Sequence, residues 1–292
     1  QQTLQRNFRG ADILSARQPA GQGLGWGVYI HDEIAIVSMR LRILGCSGGI
    51  GGSLRTTSML LDNDILIDAG TGVGDLSIDE LSRIDHVFLT HSHLDHVTSI
   101  PFLVDSVGWM RDKPLTVYAI EPTLEIIRQH LFNWKLWPDF TQIPEPGKPF
   151  LRYQPIAQGV TVSIEGRKLT ALPANHVVPA VGFRLDSGRA SLVFTGDTTT
   201  NDALWKEVNR IENLKYLLIE TAFCNREKDL AVASKHLCPS LLAVELGKLT
   251  RPADIFITHL KPGEVELTMR EIRESAGKWN PRMLENNQIL EI

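Results

Sequence analysis

The chain has 292 residues, of which 43% are hydrophobic and 22% charged, enough apolar content to bury a core of one large domain or two small ones. A formal net charge of -4 gives no global attraction to polyanions, and no apolar run approaches the roughly 18 residues that cross a bilayer. The three cysteines, Cys46, Cys224 and Cys238, are odd in number and without paired spacing, so a disulfide framework is not expected and a reducing, cytoplasmic compartment is.

Residues 1–38 are rich in Gln, Gly and Arg and lack the apolar core and cleavage site of a secretory signal. They read as an N-terminal extension, non-native in origin on one reading, with Ile34 to Val37 as a candidate edge strand. Met39 then opens Arg40 to Gly45, an alternating strand that begins a domain over 39–292. The loop Gly45 to Gly52 carries neither nucleotide-binding fingerprint. It is either a flexible connection or a small-residue wall that lets a substrate come close. Thr57 to Leu61 and Ile65 to Asp68 read as strands joined by a turn at Asp62-Asn63-Asp64.

The densest chemistry follows the apolar run Val87-Phe88-Leu89, in Thr90-His91-Ser92-His93-Leu94-Asp95-His96. His91 and His93, two apart on extended chain, can point to the same side; Asp95 and His96 open the amphipathic stretch Val97 to Met110, where a helix aims them differently. One motif of this kind can serve two adjacent metal ions. Thr116 to Ile120 reads as a strand and Thr123 to Phe132 as a helix. Asn133 to Pro149 is too proline-rich for a regular element and too aromatic for a solvated linker. It suits a cover over the site, a stacking surface, or burial against a second subunit, which leaves a homodimer open.

The second half alternates strands near Leu169 to Ala174, Val181 to Leu185, Ser191 to Thr195, Tyr216 to Glu220 and Asp254 to Thr258 with helices near Asp202 to Arg210, Pro239 to Leu249 and Glu264 to Ala276. His176, Asp197 and His259 each follow one of these strands, so they fall on loops at one sheet edge. Glu220 and His236 lie between Asp197 and His259, and a histidine with a carboxylate partner can serve as a general acid. His31, His86 and His130 have no such company and read as structural.

The ordered set His91, His93, Asp95, His96, then His176, Asp197 and His259 resembles the metallo-β-lactamase superfamily from about Arg40 to the C-terminus. Glu220 and His236 resemble the Glu and His of its phosphodiesterase branch, shared by ribonuclease Z and the class II cyclic nucleotide phosphodiesterases. Thr57 to Leu61, Asp68 to Gly74, Trp137 to Phe140 and Lys235 to Ser240 are similar to the latter. Cys238, where that family often has Thr, and the short tail after His259 depart from it.

The resemblance implies an α/β fold, a four-layer αββα sandwich with the site at one edge of two facing sheets. It implies two divalent ions, Zn²⁺ on this nitrogen-rich set with Mn²⁺ or Fe as alternatives. His91, His93 and His176 would hold one ion and Asp95, His96 and His259 the other, with Asp197 bridging and Asp68 orienting a ligand histidine. The implied reaction is hydrolysis of cyclic AMP or GMP to the 5′-monophosphate by a hydroxide shared between the ions. Asp95 would orient that hydroxide, His236 would act as acid, and Glu220 would hold the imidazole. The expected partner is a small cyclic nucleotide, with neither nucleic acid nor membrane. Rival readings are a ribonuclease Z, for which no Lys/Arg-rich insertion is seen; a lactamase or lactonase, which leaves Glu220 and His236 unexplained; and a non-catalytic metal-binding module.

Overall fold

The computed structural model describes residues 38–292. The expectations for residues 1–37, including the edge strand from Ile34 and the structural reading of His31, lie outside the described residues.

Strand β1 (Arg40–Gly45) pairs antiparallel with β2 (Ser58–Leu61), and β2 with β3 (Ile65–Ala69), through the Asp62-Asn63-Asp64 turn. Helix α1 (Ile78–Arg83) leads into β4 (His86–Phe88). The expected helix from Val97 is broken into α2 (Leu94–Val97) and α3 (Ser99–Val107), after which come β5 (Leu115–Ile120), α4 (Glu121–His130) and β6 (Leu151–Ile156). Strands β3, β4, β5 and β6 run parallel.

Strands β7 (Thr161–Ile164), β8 (Arg167–Pro173), β9 (Val181–Asp186) and β10 (Ser191–Phe194) form an antiparallel meander. Then α5 (Asp202–Val208), β11 (Leu214–Glu220), α6 (Lys228–Ala233), α7 (Pro239–Leu246), β12 (Asp254–Thr258) and α8 (Val265–Ala276) extend it in parallel. Two short strands end the chain. β13 (Arg282–Met283) closes the second sheet beside β12, and β14 (Ile289–Glu291) pairs with β1 at the edge of the first.

Two seven-stranded sheets result, ordered β14-β1-β2-β3-β4-β5-β6 and β13-β12-β11-β10-β9-β8-β7. Three apolar clusters show how they stack. Met39, Leu41, Ile67, Phe88, Phe183, Phe194 and Leu218 fill the space between the sheets. Leu66, Val87, Ile100, Val104, Leu124 and Ile127 join the first sheet to its helices, and Val193, Leu217, Leu242, Leu246 and Ile272 join the second to its own. Where a parallel strand is buried on both faces, as β3 and β12 are, it reads as a nearly continuous apolar run rather than an alternation. The order is helix, sheet, sheet, helix, the four-layer αββα sandwich.

Candidate metal centre

Strands β8, β10, β11 and β12 point the same way, so the loops at their C-terminal ends gather at one edge, opposite the loop after β4. His176, Asp197, Glu220 and His259 therefore meet the histidines that follow β4. His91, His93, His176 and Asp197 present ligand atoms within 4.8 Å of one another, as do Asp95, His96 and His259, and a third group is Asp197, His236 and His259. These groups contain all seven residues expected as metal ligands, together with His236.

Nearby groups fix which ring nitrogen His91, His96 and His176 offer. Thr90 Oγ1 donates to Asp68 Oδ2 at 2.8 Å, so it accepts from His91 Nδ1 at 3.0 Å. His96 Nδ1 donates to Asp68 Oδ2 at 2.7 Å, and His176 Nδ1 to the Lys235 carbonyl at 3.2 Å. One buried carboxylate, Asp68, thus sets two imidazoles, one through Thr90. Nε2 of His91, Nε2 of His96 and Oδ1 of Asp197 are left buried without a hydrogen-bond partner. Asp197 lies 3.6 Å from His91 Nε2, 3.4 Å from His96 Nε2 and 3.4 Å from His259 Nδ1, while Asp95 reaches His259 Nε2 at 3.8 Å.

Burying such atoms unpaired is costly. Convergent lone pairs on imidazole and carboxylate are what a divalent cation satisfies, so the residues present fit a metal. Protonation agrees. Burial pushes the imidazoles of His91 and His93 below the ordinary value, that of His176 to about 4 and that of His259 to about 3, keeping them neutral as ligands must be. His96 is the exception: burial works against its charge, but Asp197 and Asp68 raise it well above the ordinary value. A bound cation would take the place of that proton.

The backbone is bent to make the site. Asp68 (φ 55°), Lys235 (φ 54°) and His259 (φ 63°) are all left-handed, a strained conformation that non-glycine residues keep where their surroundings fix it. Gly196 (φ 61°) turns the chain just before Asp197; a Cβ there would meet the Val181 carbonyl at 2.8 Å. The glycine-rich loop is less free than a flexible connection. Cys46 O accepts from His259 N at 2.7 Å and Leu260 O from Gly48 N at 3.0 Å, so its first half is pinned to the His259 loop.

Beside the cluster, Glu220 is fully buried at the end of β11. Its Oε1 accepts from His236 Nδ1 at 2.7 Å and Thr198 N at 3.1 Å, and its Oε2 from Leu237 N at 3.3 Å. The His236 ring stacks on His259, with centroids 5.2 Å apart and 16° between planes. Burial works against its protonation, but Glu220 together with Asp197 outweighs burial and raises its pKa above the ordinary value.

A family profile described as beta-lactamase superfamily domain matches residues 63–272, about seven-tenths of the chain. The chain belongs to the metallo-β-lactamase superfamily. A probable 3′,5′-cyclic-nucleotide phosphodiesterase of Yersinia pestis is 24% identical over 286 aligned residues, covering 80% of this chain and 81% of that one. A ribonuclease Z of Staphylococcus haemolyticus is 29% identical over 168 residues, covering 51% of this chain and 50% of its own. Among solved structures, unliganded yeast PDE1 superposes with TM-score 0.74 at 18% identity, covering 88% of this chain and all of that one. That likeness establishes the superfamily's fold.

Several contributors were not anticipated. Thr90 stands directly before His91, so its position was a legible signal. The Lys235 carbonyl, the Thr198 amide and Thr57, whose Oγ1 lies 3.4 Å from His259 Nδ1, carry no residue-type signal, because backbone groups act for any side chain and Thr57 is distant in sequence. Asp64, Asp85 and His86 also approach one another as a metal could use, but Arg167 neutralises Asp64, and Arg111 and Lys113 neutralise Asp85. His86 keeps its structural reading, its Nδ1 lying 3.3 Å from Tyr118 Oη. Among the described residues no helix is long and apolar enough to cross a membrane.

Proposed function

We propose that the protein is a metal-dependent phosphodiesterase that hydrolyses 3′,5′-cyclic nucleotides to 5′-monophosphates. The observation that carries this reading is the buried His236–Glu220 pair set against the metal-ligand cluster, which a lactam hydrolase has no use for. Relatives named as cyclic-nucleotide phosphodiesterases in Yersinia pestis and Aliivibrio fischeri, each aligned over about four-fifths of its length, support the substrate.

His91, His93 and His176 would hold one divalent ion and Asp95, His96 and His259 a second, with Asp197 shared. Zn²⁺ suits this nitrogen-rich donor set. Such ions, when bound, acidify water and offset negative charge on phosphoryl oxygens. Asp95, the most exposed carboxylate of the cluster, accepts a hydrogen bond from the attacking water and aligns it toward phosphorus. As the bond between phosphorus and the ribose 3′-oxygen breaks, His236 Nε2 gives its proton to that oxygen. Glu220 fixes the ring so that Nε2 faces the site, and its charge keeps the acid form populated.

Incubating metal-reconstituted protein with cyclic AMP, cyclic GMP, a pre-tRNA and a β-lactam, and resolving products by chromatography, tests the reading. The expected products are 5′-AMP and 5′-GMP. Cleavage of the pre-tRNA alone or the lactam alone would overturn it.

A further inference from the structure

Two half-buried lysines stand beside the His/Asp cluster with no carboxylate partner among the described residues, and they are not equivalent. Lys235 Nζ donates to the His176 carbonyl at 3.0 Å while its own carbonyl accepts from His176 Nδ1, so both ends serve one loop. Lys261 is held differently. Its backbone N–H donates to Ala222 O and its Nζ donates to the Gly48 carbonyl at 2.7 Å. Its stem lies on the same face of Gly48 as the His259 ring, since a Cβ on Gly48 would meet Lys261 Cδ and His259 Cδ2 at 3.1 Å each. That ring stacks on His236, so Lys261 stands beside the pair formed by the proposed acid and a ligand histidine.

An ammonium carries three donors, and Nζ gives one to a protein group, so the others are open to a ligand or to solvent. A phosphoryl oxygen there would accept a charge-assisted hydrogen bond.

We propose that Lys261 is a substrate-binding residue whose ammonium, held by the Gly48 carbonyl, takes a non-bridging oxygen of the phosphodiester anion. The assignment rests on the phosphodiesterase reading of the site and adds to it an anchor distinct from the metal ligands and from the acid. A Cβ on Gly48 would meet the His259 carbonyl at 2.6 Å and the lysine stem at 3.1 Å, so the glycine lets both segments pack against the loop.

The test uses the full, metal-reconstituted chain with Lys261→Met, Lys261→Gln and Lys261→Arg. With bis(p-nitrophenyl) phosphate, Lys261→Met is expected to raise KM by about 10–100-fold, the usual worth of a hydrogen bond to a charged group, with kcat within a few-fold of the parent. Lys261→Arg should recover most of the loss, and Lys261→Gln, which keeps a donor but no charge, little of it. Titration calorimetry with inorganic phosphate should show the same weakening in Lys261→Met and needs no turnover. If the parent binds phosphate through Lys261 yet leaves cyclic nucleotides intact, the cyclic-nucleotide reading falls and the anion anchor stands. Unchanged phosphate binding in Lys261→Met would overturn the anchor whatever the substrate. So would a fall in kcat at constant KM, or a joint loss of metal content and thermal stability, since either would make Lys261 a clamp on the glycine loop.

Discussion

His236 illustrates how a single side chain acquires a task from its surroundings. Its Nδ1 is spent on Glu220, so Nε2 is the only nitrogen it can present to a substrate. Replacing it by Ala should leave metal content unchanged and lower cyclic AMP turnover by about 10²–10⁴-fold, the usual worth of a positioned acid. With bis(p-nitrophenyl) phosphate, whose phenolate departs without a proton, the loss should be far smaller. Equal loss on both substrates, or metal loss by elemental analysis, would make His236 a ligand or a structural group, as its closeness to Asp197 and His259 also allows. Asp197 bears on metal count: with six further ligand side chains around it, purified protein should bind about two equivalents, and Asp197→Asn should weaken both. A stoichiometry near one, unmoved by added zinc or manganese, would remove the bridging role.

At the scale of elements, the site depends on where strands end, and helices are placed by their caps. Helix α1 spans only six residues, yet begins with a reciprocal cap: Ser77 Oγ accepts from Glu80 N at 3.2 Å, and Glu80 Oε2 accepts from Ser77 N at 2.9 Å. This short helix precedes β4, the strand that delivers His91. Ser77→Ala should cost about 1 kcal/mol in chemical denaturation and leave metal content and turnover unchanged, because the side chain of exposed Ser77 bonds only to Glu80. The Ser77–Glu80 spacing is the sequence signature of the α1 start, whereas helices of six residues, α1 and α6, show too little periodicity to be legible. Strands β6 and β7 are illegible for another reason. Pro155 sits inside β6, and β7 is a half-exposed edge strand, so neither reads as an apolar run.

For the molecule as a whole, the two sheets meet over an apolar interior, and a charged clasp ties them at one corner. Arg167 on β8 donates to both Asp64 and Asp62 in the β2–β3 turn, joining the second sheet to the first. Near this clasp, Asp85 accepts from Arg111 and Lys113 at 2.6 Å each. Burial works against the Asp85 charge, but Lys113 and Arg111 outweigh it and hold the carboxyl below the usual carboxylate value. Since the folded pKa lies below the unfolded value of about 3.9, the stabilisation is complete above that pH and is lost as pH falls through the folded value. Urea denaturation of the parent and Asp85→Asn should therefore differ by a constant amount from pH 5 to 8, and the gap should close below about pH 4. A gap independent of pH would mean that packing, not charge, accounts for it.

The sequence by itself pointed to the side chains that meet at one sheet edge, and gave the αββα class only through the resemblance to the superfamily. His91, His93, Asp95 and His96 are neighbours in sequence, and His176, Asp197 and His259 each follow an apolar strand, so strand-end logic places them together. Only the tertiary structure decided how each side chain is used. Asp68 sets both His91 and His96, the Lys235 carbonyl fixes His176, and the Gly48 carbonyl holds Lys261. These contacts join residues up to 213 apart in sequence, and several are made by backbone groups that every residue carries. Residue type records what a side chain can do; which of its atoms faces the site is set by partners that converge only when both sheets have packed.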